Sequence, residues 1–409
     1  MAAVNMGFSK RRKLYSNGRV ELINLLCFAF MIMFGLGICM VLPSTQLSTS
    51  LYYCGVIISA TFFASLSEKA RTRIGFSVLF GMSFLILFFT YGFRDSSGID
   101  DPAYIGIFQH VVNQGWWRVF LTTTMEPGYL ILNDVVATFT HDYFYLQLIT
   151  SFTPLVLFYR GFSKYRDIIS LPVSVFLLST MLYFQMLGVA LVRMFIAISI
   201  VFNGFYYIPK KKGRTYVLLV LVASLFHYSA LFMLILTYFT IDQENMSRRA
   251  KRFVTLAFLG IPISFIFIAR FVVPLLGSRY SEYGNIGSFS LDVSSFDTIP
   301  LLVLLLMNMK RIPERNLNQY RLLLAIFALS SIMSIYSSMI LLGRLIYYAN
   351  SAFFVASGMM VKSLERSTVK LLFYGIILVY GFVYVYWTQF SLAAHIPYLF
   401  PYRNIFFTM

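Results

Sequence analysis

Apolar runs of membrane-spanning length, separated by short basic connections, constrain this chain more than any other feature. A transmembrane helix needs about 20 mostly apolar residues, and runs of that order recur along the sequence, beginning at about 21–42, 50–66 and 74–93. Apolar residues make up 59% of the chain, charged residues 12%, and the mean hydropathy is +0.75. A water-soluble chain of this length would need far more charge to cover its surface. We therefore predict an all-α polytopic membrane protein in which residues 1–409 form a single integral membrane domain.

The basic residues are concentrated in the connections between these runs. Most of the 33 lysine and arginine residues fall in seven clusters, which are Lys10–Arg19, Lys69–Arg73, Arg160–Arg166, Lys210–Arg214, Arg248–Arg252, Lys310–Arg321 and Lys362–Lys370. Cytoplasmic loops of membrane proteins carry such an excess of lysine and arginine. The net charge of +17 therefore indicates orientation in a lipid bilayer, and we expect no nucleic-acid partner.

If every basic cluster lies on the cytoplasmic side, successive connections alternate between the two sides of the membrane. This alternation predicts a bundle of about 12–13 transmembrane segments. Further spans are expected at about 143–159, 168–186, 188–208, 253–273, 322–341 and 371–390. Residues 215–240 have basic clusters on both sides, so we predict that they turn back at His227–Tyr228 as a broken helix hairpin. The expected outer segments are the main loop at 94–142, a second loop at 277–297 and the C-terminal segment 391–409.

The main loop is the longest polar interruption of the apolar sequence. Its first part carries the acidic residues Asp95, Asp100, Asp101 and Glu126 and the basic residues Arg94 and Arg118. Residues 128–140 can form an amphipathic helix at the membrane surface, because Tyr129, Leu132, Val136 and Phe139 fall on one helical stripe. We expect this loop to fold over one mouth of the bundle, and we expect the chemistry there.

Three polar residues within apolar sequence are candidates for that chemistry. Arg193 and Arg344 lie near the outer ends of their predicted spans, and neither has an acidic residue three or four positions away. A cation within hydrocarbon costs about 2.5–3.5 kcal/mol on insertion scales, so each arginine needs a partner, either a structural ion pair or a bound anion. His227 can act as a base near neutral pH or can be a structural histidine. Since no metal-ligand or phosphate-loop motif occurs, we expect neither a metal nor a cofactor.

Several short motifs follow one another in a fixed order. They are Gly92, Arg94, Gly98, Asp100 and Tyr104; Glu126–Tyr129; Arg193–Ala197; Ser224–Leu231 around His227; Arg344 before Tyr347 and Tyr348; and Phe400–Arg403. In this order the motifs resemble those of the EpsG family of polysaccharide polymerases, which overlaps the Wzy-type O-antigen and capsule polymerases. The family often has a glutamine after the intramembrane arginine, whereas this chain has Met194.

The resemblance implies a GT-C-like glycosyltransferase that works without a metal. Its donor and acceptor would be undecaprenyl-pyrophosphate-linked glycans, which it joins into O-antigen, capsule or exopolysaccharide. The enzyme would cross the bacterial cytoplasmic (inner) membrane many times, with its active site facing the periplasm. A chain-length regulator protein is considered as a further partner.

The resemblance and the chemistry together give a set of candidate site residues. His227, Glu126 and Asp100 are alternative catalytic bases, although structural roles remain open for the two acidic residues. The candidates for pyrophosphate or substrate binding are Arg94, Arg193, Arg344, Arg403 and Tyr348. Two other functions stay open. An O-antigen ligase usually has its large outer loop late in the chain, and a lipid-linked oligosaccharide flippase should show internal halves and a charged central cavity.

Overall fold

The structure is a computed structural model that describes residues 46–95, 98–189, 191–240, 298–335, 343–365, 367–393 and 402–408. In these ranges the chain is largely helical. Three of the described helices are long and apolar enough to cross a membrane, namely Thr49–Lys69, Arg73–Gly92 and Thr368–Val385, and shorter apolar helices accompany them. The fold is therefore that of an all-α membrane protein, whereas the number of spans and the likeness to GT-C enzymes stay predictions.

Most of the described residues lie in α-helices. The α-helices are, in chain order, α1 (Gln46–Lys69), α2 (Arg73–Gly92), α3 (Asp101–Gln114), α4 (Trp116–Thr122), α5 (Pro127–Phe139), α6 (Tyr143–Tyr165), α7 (Leu171–Leu178), α8 (Phe184–Val189), α9 (Val192–Phe205), α10 (Gly213–Ser224), α11 (Ile299–Met307), α12 (Glu314–Ile335), α13 (Gly343–Ser363) and α14 (Ser367–Ala393). A π-helical turn, Ser179–Tyr183, joins α7 to α8, and 3₁₀ helices cover Tyr228–Thr240 and Met309–Arg311. Two strands, β1 (Arg403–Asn404) and β2 (Phe407–Thr408), pair antiparallel.

Local sequence signals fix where several helices begin. The side chains of Thr72 and Asp142 accept hydrogen bonds from backbone N–H groups at the starts of α2 and α6, at 3.0 and 2.9 Å. Pro102 and Pro127 occupy the first turns of α3 and α5, where the N–H that proline lacks has no helical partner. The predicted loop 94–142 consequently contains three short helices, α3 to α5, between the longer α2 and α6.

Several basic clusters meet at one end of the bundle. Lys362, near the end of α13, forms an ion pair with Glu68, near the end of α1. The guanidinium of Arg166, directly after α6, lies over the ring of Phe76 in the first turn of α2, 4.4 Å from its centroid. We call this the basic end; it comprises residues 68–76, 160–166, 206–214 and 362–363.

The polar loop lies at the opposite ends of the same helices. Tyr91, in the last turn of α2, donates a hydrogen bond to the carbonyl of Met186 in α8 at 3.1 Å. The Tyr402 hydroxyl donates to the carbonyl of Thr90 at 2.7 Å. We call this the loop end; it comprises residues 90–95, 98–104, 126–129, 186–189, 191–193, 225–229 and 402–404. Helix α2 runs from the basic end to the loop end, whereas α6 and α9 both run from the loop end to the basic end, as the spacing of the basic clusters predicts.

Residues 213–240 fold back on themselves. The Tyr216 hydroxyl in α10 donates to the carbonyl of Met233 at 2.7 Å, and Lys211 Nζ donates to the carbonyl of Phe239 at 3.3 Å. The two halves are therefore antiparallel, with the turn around residues 225–227. The predicted hairpin is present, although its second half is a 3₁₀ helix. The Arg248–Arg252 cluster beyond it lies outside the described residues.

The helix predicted at about 128–140 is present as α5, and its position at the membrane surface stays a prediction. Helix α5 buries Tyr129, Leu130, Asn133 and Val136, whereas Phe139 is 85% exposed. Ten residues of α-helix turn through about 1,000°, so Phe139 lies roughly 80° around the helix from Tyr129. The stripe that packs against the protein therefore drifts away from Phe139.

Other predicted segments lie outside the described residues. They are the first span at about 21–42, the span at about 253–273 and the loop at 277–297. Of the C-terminal segment 391–409, the structure describes 391–393 and 402–408. The structures expected for the segments outside the described residues stay predictions.

Candidate active site

A buried ion pair closes the start of the loop. Arg94 Nε and Nη2 donate to the two carboxylate oxygens of Asp101 at 3.2 and 2.7 Å, and both side chains are 0% exposed. Arg94 Nη1 also donates to the carbonyl of Tyr91 at 2.9 Å, and the Gly98 N–H donates to Asp101 at 2.9 Å. Two-point contacts of this kind are the strongest form of an arginine–carboxylate pair. The pair thus ties the end of α2 to the start of α3.

This geometry changes the roles expected of Arg94 and Asp100. Arg94 is fully enclosed, and its carboxylate partner is Asp101, not the Asp100 that the motif singles out. Burial acts to lower the pKa of Arg94, but the neighbouring Asp101 acts in the opposite direction and the pKa is raised overall, so the guanidinium stays charged. In this arrangement Arg94 organises the loop and presents no surface to a substrate. Asp100 is half-buried next to Tyr104.

We predict that Asp101→Ala destabilises the protein by about 3–5 kcal/mol, because it leaves the buried Arg94 cation without its partner. Thermal unfolding in detergent, together with the amount of protein in the membrane fraction, measures the effect. Asp95→Ala removes an exposed carboxylate from the same segment and is the matched control. Equal stability of the two variants would mean that the pair does not hold the loop.

A second ion pair forms where the loop meets the bundle. Arg193, in the first turn of α9, pairs with Glu126, and their side chains are 12% and 5% exposed. Arg193 Nε donates to the Tyr104 hydroxyl at 3.3 Å. The Arg193 guanidinium carbon lies 5.7 and 6.0 Å from the ring centroids of Tyr104 and Tyr129. The intramembrane arginine that lacks a nearby acid in sequence therefore finds one in the loop.

Close backbone contact brings Glu126 to the hairpin turn. Glu126 has extended backbone angles and directly precedes α5. The Gly128 N–H donates to the carbonyl of Leu225 at 2.8 Å, and a Cβ atom on Gly128 would lie 2.7 Å from that oxygen. Only glycine permits this approach. The contact also lets Glu126 Oε1 accept a hydrogen bond from the backbone N–H of Tyr228 at 3.4 Å.

His227 lies at this same turn, in a chain of polar side chains. Its Nδ1 is 2.6 Å from Ser229 Oγ, which is 3.1 Å from the Tyr348 hydroxyl. Tyr348 is fully buried on α13, whereas His227 is half-buried. A hydrogen bond at Nδ1 fixes the ring orientation and decides which nitrogen can exchange a proton. The structure thus brings together four of the predicted site residues, namely Glu126, Arg193, His227 and Tyr348.

Of the other two candidate arginines, Arg403 contacts a different part of the loop. Arg344 stands at the start of α13, four residues before Tyr348, but its side chain lies outside the described part of the structure. Arg403 is exposed in β1, and its carbonyl accepts a hydrogen bond from the Asp95 N–H at 2.9 Å. The Ile405 N–H donates to the carbonyl of Phe93 at 3.0 Å. Residues 402–408 therefore pack on the start of the loop, and binding by Arg344 and Arg403 stays a prediction.

Sequence reasoning missed Asp101, Tyr104 and Ser229 as members of these networks. Burial raises the pKa of the Tyr104 hydroxyl, although Arg193 acts in the opposite direction. Burial likewise raises the pKa of Tyr129 well above its usual value. Both phenols therefore stay neutral and can donate hydrogen bonds. A usable signal for Ser229 is its place two residues after His227 within an apolar segment.

The group has the elements needed for acid–base chemistry next to an anion. Arg193 supplies a fixed cation, the tyrosines supply neutral donors, and Glu126 and His227 supply groups that can exchange protons. The N-terminus of α9 adds the positive end of a helix dipole beside Arg193. In the described structure the anion that Arg193 binds is the Glu126 carboxylate.

Comparison with known proteins gives the family. The model of the EpsG family matches residues 77–404, which include both ion pairs and the hairpin turn. No curated protein and no solved structure shows a significant match to the chain. Because the family match covers most of the chain, this membrane protein belongs to the EpsG family, a family of Wzy-like polymerases.

Proposed function

We propose that this protein is a polysaccharide polymerase that joins undecaprenyl-pyrophosphate-linked repeat units into a longer glycan. The observation that carries the proposal is the junction of Arg193, Glu126 and His227 at the loop end. A cation paired with a carboxylate, beside an oriented imidazole, suits a reaction with an anionic leaving group and a hydroxyl nucleophile.

The reaction transfers a glycan from one lipid carrier to another glycan. The bond between the anomeric carbon of the donor and its pyrophosphate breaks, and the pyrophosphate leaves with the electron pair. A hydroxyl oxygen of the acceptor forms the new bond to that carbon, and its proton passes to a base. We assign this base to His227, and Arg193 stabilises the charge that develops on the pyrophosphate without a metal.

Glu126 has a separate role in this scheme. Arg193 is neutralised by Glu126 in the described structure, so a pyrophosphate must displace that carboxylate to bind there. A displaced carboxylate within a buried site needs a new donor. A second hydroxyl of the acceptor sugar is such a donor, since the reacting hydroxyl gives its only proton to His227, and Glu126 also accepts from the Tyr228 N–H. We propose that donor binding thereby prepares Glu126 to orient the acceptor.

The charge distribution supports a periplasmic site. Lysine and arginine favour the cytoplasmic side of a membrane, and several basic clusters share the basic end. The loop end, with Glu126, Arg193 and His227, then faces the periplasm of a cell whose inner membrane holds the protein. A lipid-linked donor and acceptor reach such a site from the outer leaflet, and a chain-length regulator protein is a proposed partner there.

The function is tested by reconstitution. Single lipid-linked repeat units are extracted from a strain that lacks this protein and are added to liposomes that contain the purified protein. The polymerase predicts longer chains that remain attached to undecaprenyl pyrophosphate. Transfer of unextended glycan to a lipid A core acceptor would instead identify a ligase, and transfer across the bilayer without a new glycosidic bond would identify a flippase.

Within this assay we predict that Arg193→Lys loses at least about 10-fold in rate. Arg193 uses separate guanidinium nitrogens for Glu126 and for the Tyr104 hydroxyl, and a lysine ammonium cannot reproduce that planar arrangement. Arg118→Lys, an exposed site in the same loop, is the matched control. Full activity of Arg193→Lys would mean that a single positive charge at this position is sufficient and that the guanidinium geometry is not required.

A further inference from the structure

A cationic cluster at the basic end contrasts with the two neutralised pairs of the loop end. Lys164, in the last turn of α6, donates to Asn203 Oδ1 at 3.0 Å. Its Nζ lies 5.4 and 5.2 Å from the ring centroids of Tyr206 and Tyr207, directly after α9. Lys210 Nζ lies 3.5 Å from the centroid of the Tyr206 ring. Two lysines thus contact the same tyrosine ring.

The partners that hold these lysines are neutral. Asn203 is 6% exposed and is fixed by its own donation to the carbonyls of Leu157 and Ser199, at 2.7 and 2.9 Å. Among the described residues no carboxylate lies within ion-pair distance of Arg160, Lys164 or Lys210. The like charges repel one another, so the cluster gains from binding an anion.

The position of the cluster favours a lipid as the source of that anion. It lies at the end of helices α6 and α9, where lysine and tyrosine side chains meet the headgroup region of a bilayer. The neighbouring helix α10 starts within the same basic segment and exposes Leu218 at 61% and Leu221 at 44%, and Leu225, directly after the helix, is 45% exposed on the same stripe. This stripe offers acyl chains an apolar surface that leads away from the charges.

We propose that Lys164, Lys210 and Arg160 form a binding site for the phosphodiester headgroup of an anionic membrane phospholipid. Lys164 supplies a positioned ammonium with donors beyond the one that Asn203 accepts. Lys210 and the exposed Arg160 supply the remaining charge. The site lies at the end of the bundle opposite the polymerase site and does not depend on the proposed reaction.

Native mass spectrometry of the purified full-length protein tests this site. The protein in detergent is titrated with phosphatidylglycerol, with phosphatidylcholine and with inorganic phosphate. We expect phosphatidylglycerol to be retained in preference to phosphatidylcholine. The double variant Lys164→Gln/Lys210→Gln should retain about 10- to 30-fold less phosphatidylglycerol, since each basic residue near a membrane surface contributes about a fivefold factor.

Controls separate the site from general surface charge and from a folding defect. Lys310→Gln/Lys370→Gln removes the same charge from two other basic clusters and should retain phosphatidylglycerol as the wild type does. The single variant Lys210→Gln changes an exposed side chain and should show an intermediate loss if the double variant does not fold. Equal losses in the double variant and its control, or displacement of the lipid by millimolar inorganic phosphate, would overturn the proposal.

Discussion

Glu126→Gln is expected to lower glycan polymerisation by about 100-fold and, at the same time, to bind inorganic pyrophosphate more tightly than the wild type. The substitution removes the negative charge that neutralises Arg193, so a pyrophosphate no longer competes with a carboxylate. Hydrogen bonds to charged groups contribute about 1.5–3 kcal/mol, which corresponds to a gain of about 10-fold or more in affinity. The rate falls because the acceptor sugar loses the carboxylate that orients it.

Calorimetric titration of the purified protein with pyrophosphate measures the first effect, and the reconstituted assay measures the second. Asp142→Asn removes one negative charge from the same loop, and asparagine can still cap the start of α6. This control should leave both quantities unchanged. Weaker pyrophosphate binding by Glu126→Gln than by the wild type would contradict the displacement of Glu126 by the donor.

His227→Ala is expected to lower chain extension by about 10²–10⁴-fold, the usual cost of losing a general base, with normal protein abundance and normal pyrophosphate binding. The reason is that His227 lies at the hairpin turn next to Glu126, while its Nδ1 is held by Ser229. Polymer length and protein amount are measured side by side. Long chains from a well-expressed His227→Ala variant would reject the assignment and transfer the role of base to Glu126 or Asp100.

Ser229→Ala provides the matched comparison for His227. It removes the contact at Nδ1 and the link to Tyr348 but leaves the imidazole in place. We expect a smaller loss of rate and a shifted pH–rate profile, because the hydrogen bond at Nδ1 no longer fixes the ring. A loss equal to that of His227→Ala with an unchanged pH profile would indicate that Ser229 supports the fold of the hairpin alone.

Charge and polarity along the sequence predict the features that follow from membrane physics. The fold-back of residues 213–240 is predictable because basic clusters flank this apolar run on both sides. A single crossing would place the second cluster on the outer side of the membrane, against the charge pattern of the other connections. Arg193 and His227 stand out because polar groups in apolar sequence need partners. Both residues do lie in the group that the structure brings together.

Sequence spacing alone does not predict which residues the site residues contact. Asp100 and Asp101 are adjacent, and only the geometry of the α3 start directs Asp101 toward Arg94. Ser229 and Tyr348 meet across 119 positions of sequence, so no local pattern relates them. The buried stripe of α5 depends on how that helix packs against the bundle, which periodicity alone does not determine.

The packing of residues 402–408 on the start of the loop has a consequence for how the protein is made. The hydrogen bond from Tyr402 to Thr90 spans 312 positions of sequence, and the carbonyl of Phe93 is paired with the N–H of Ile405. Contacts of such long range form late in folding because they close large loops. The backbone around Arg94 therefore acquires its final partners only after nearly the whole bundle has been synthesised and inserted. A polypeptide that the ribosome releases before residue 402 would contain Glu126, Arg193, His227 and Tyr348. It would still lack the segment that packs on the start of the loop.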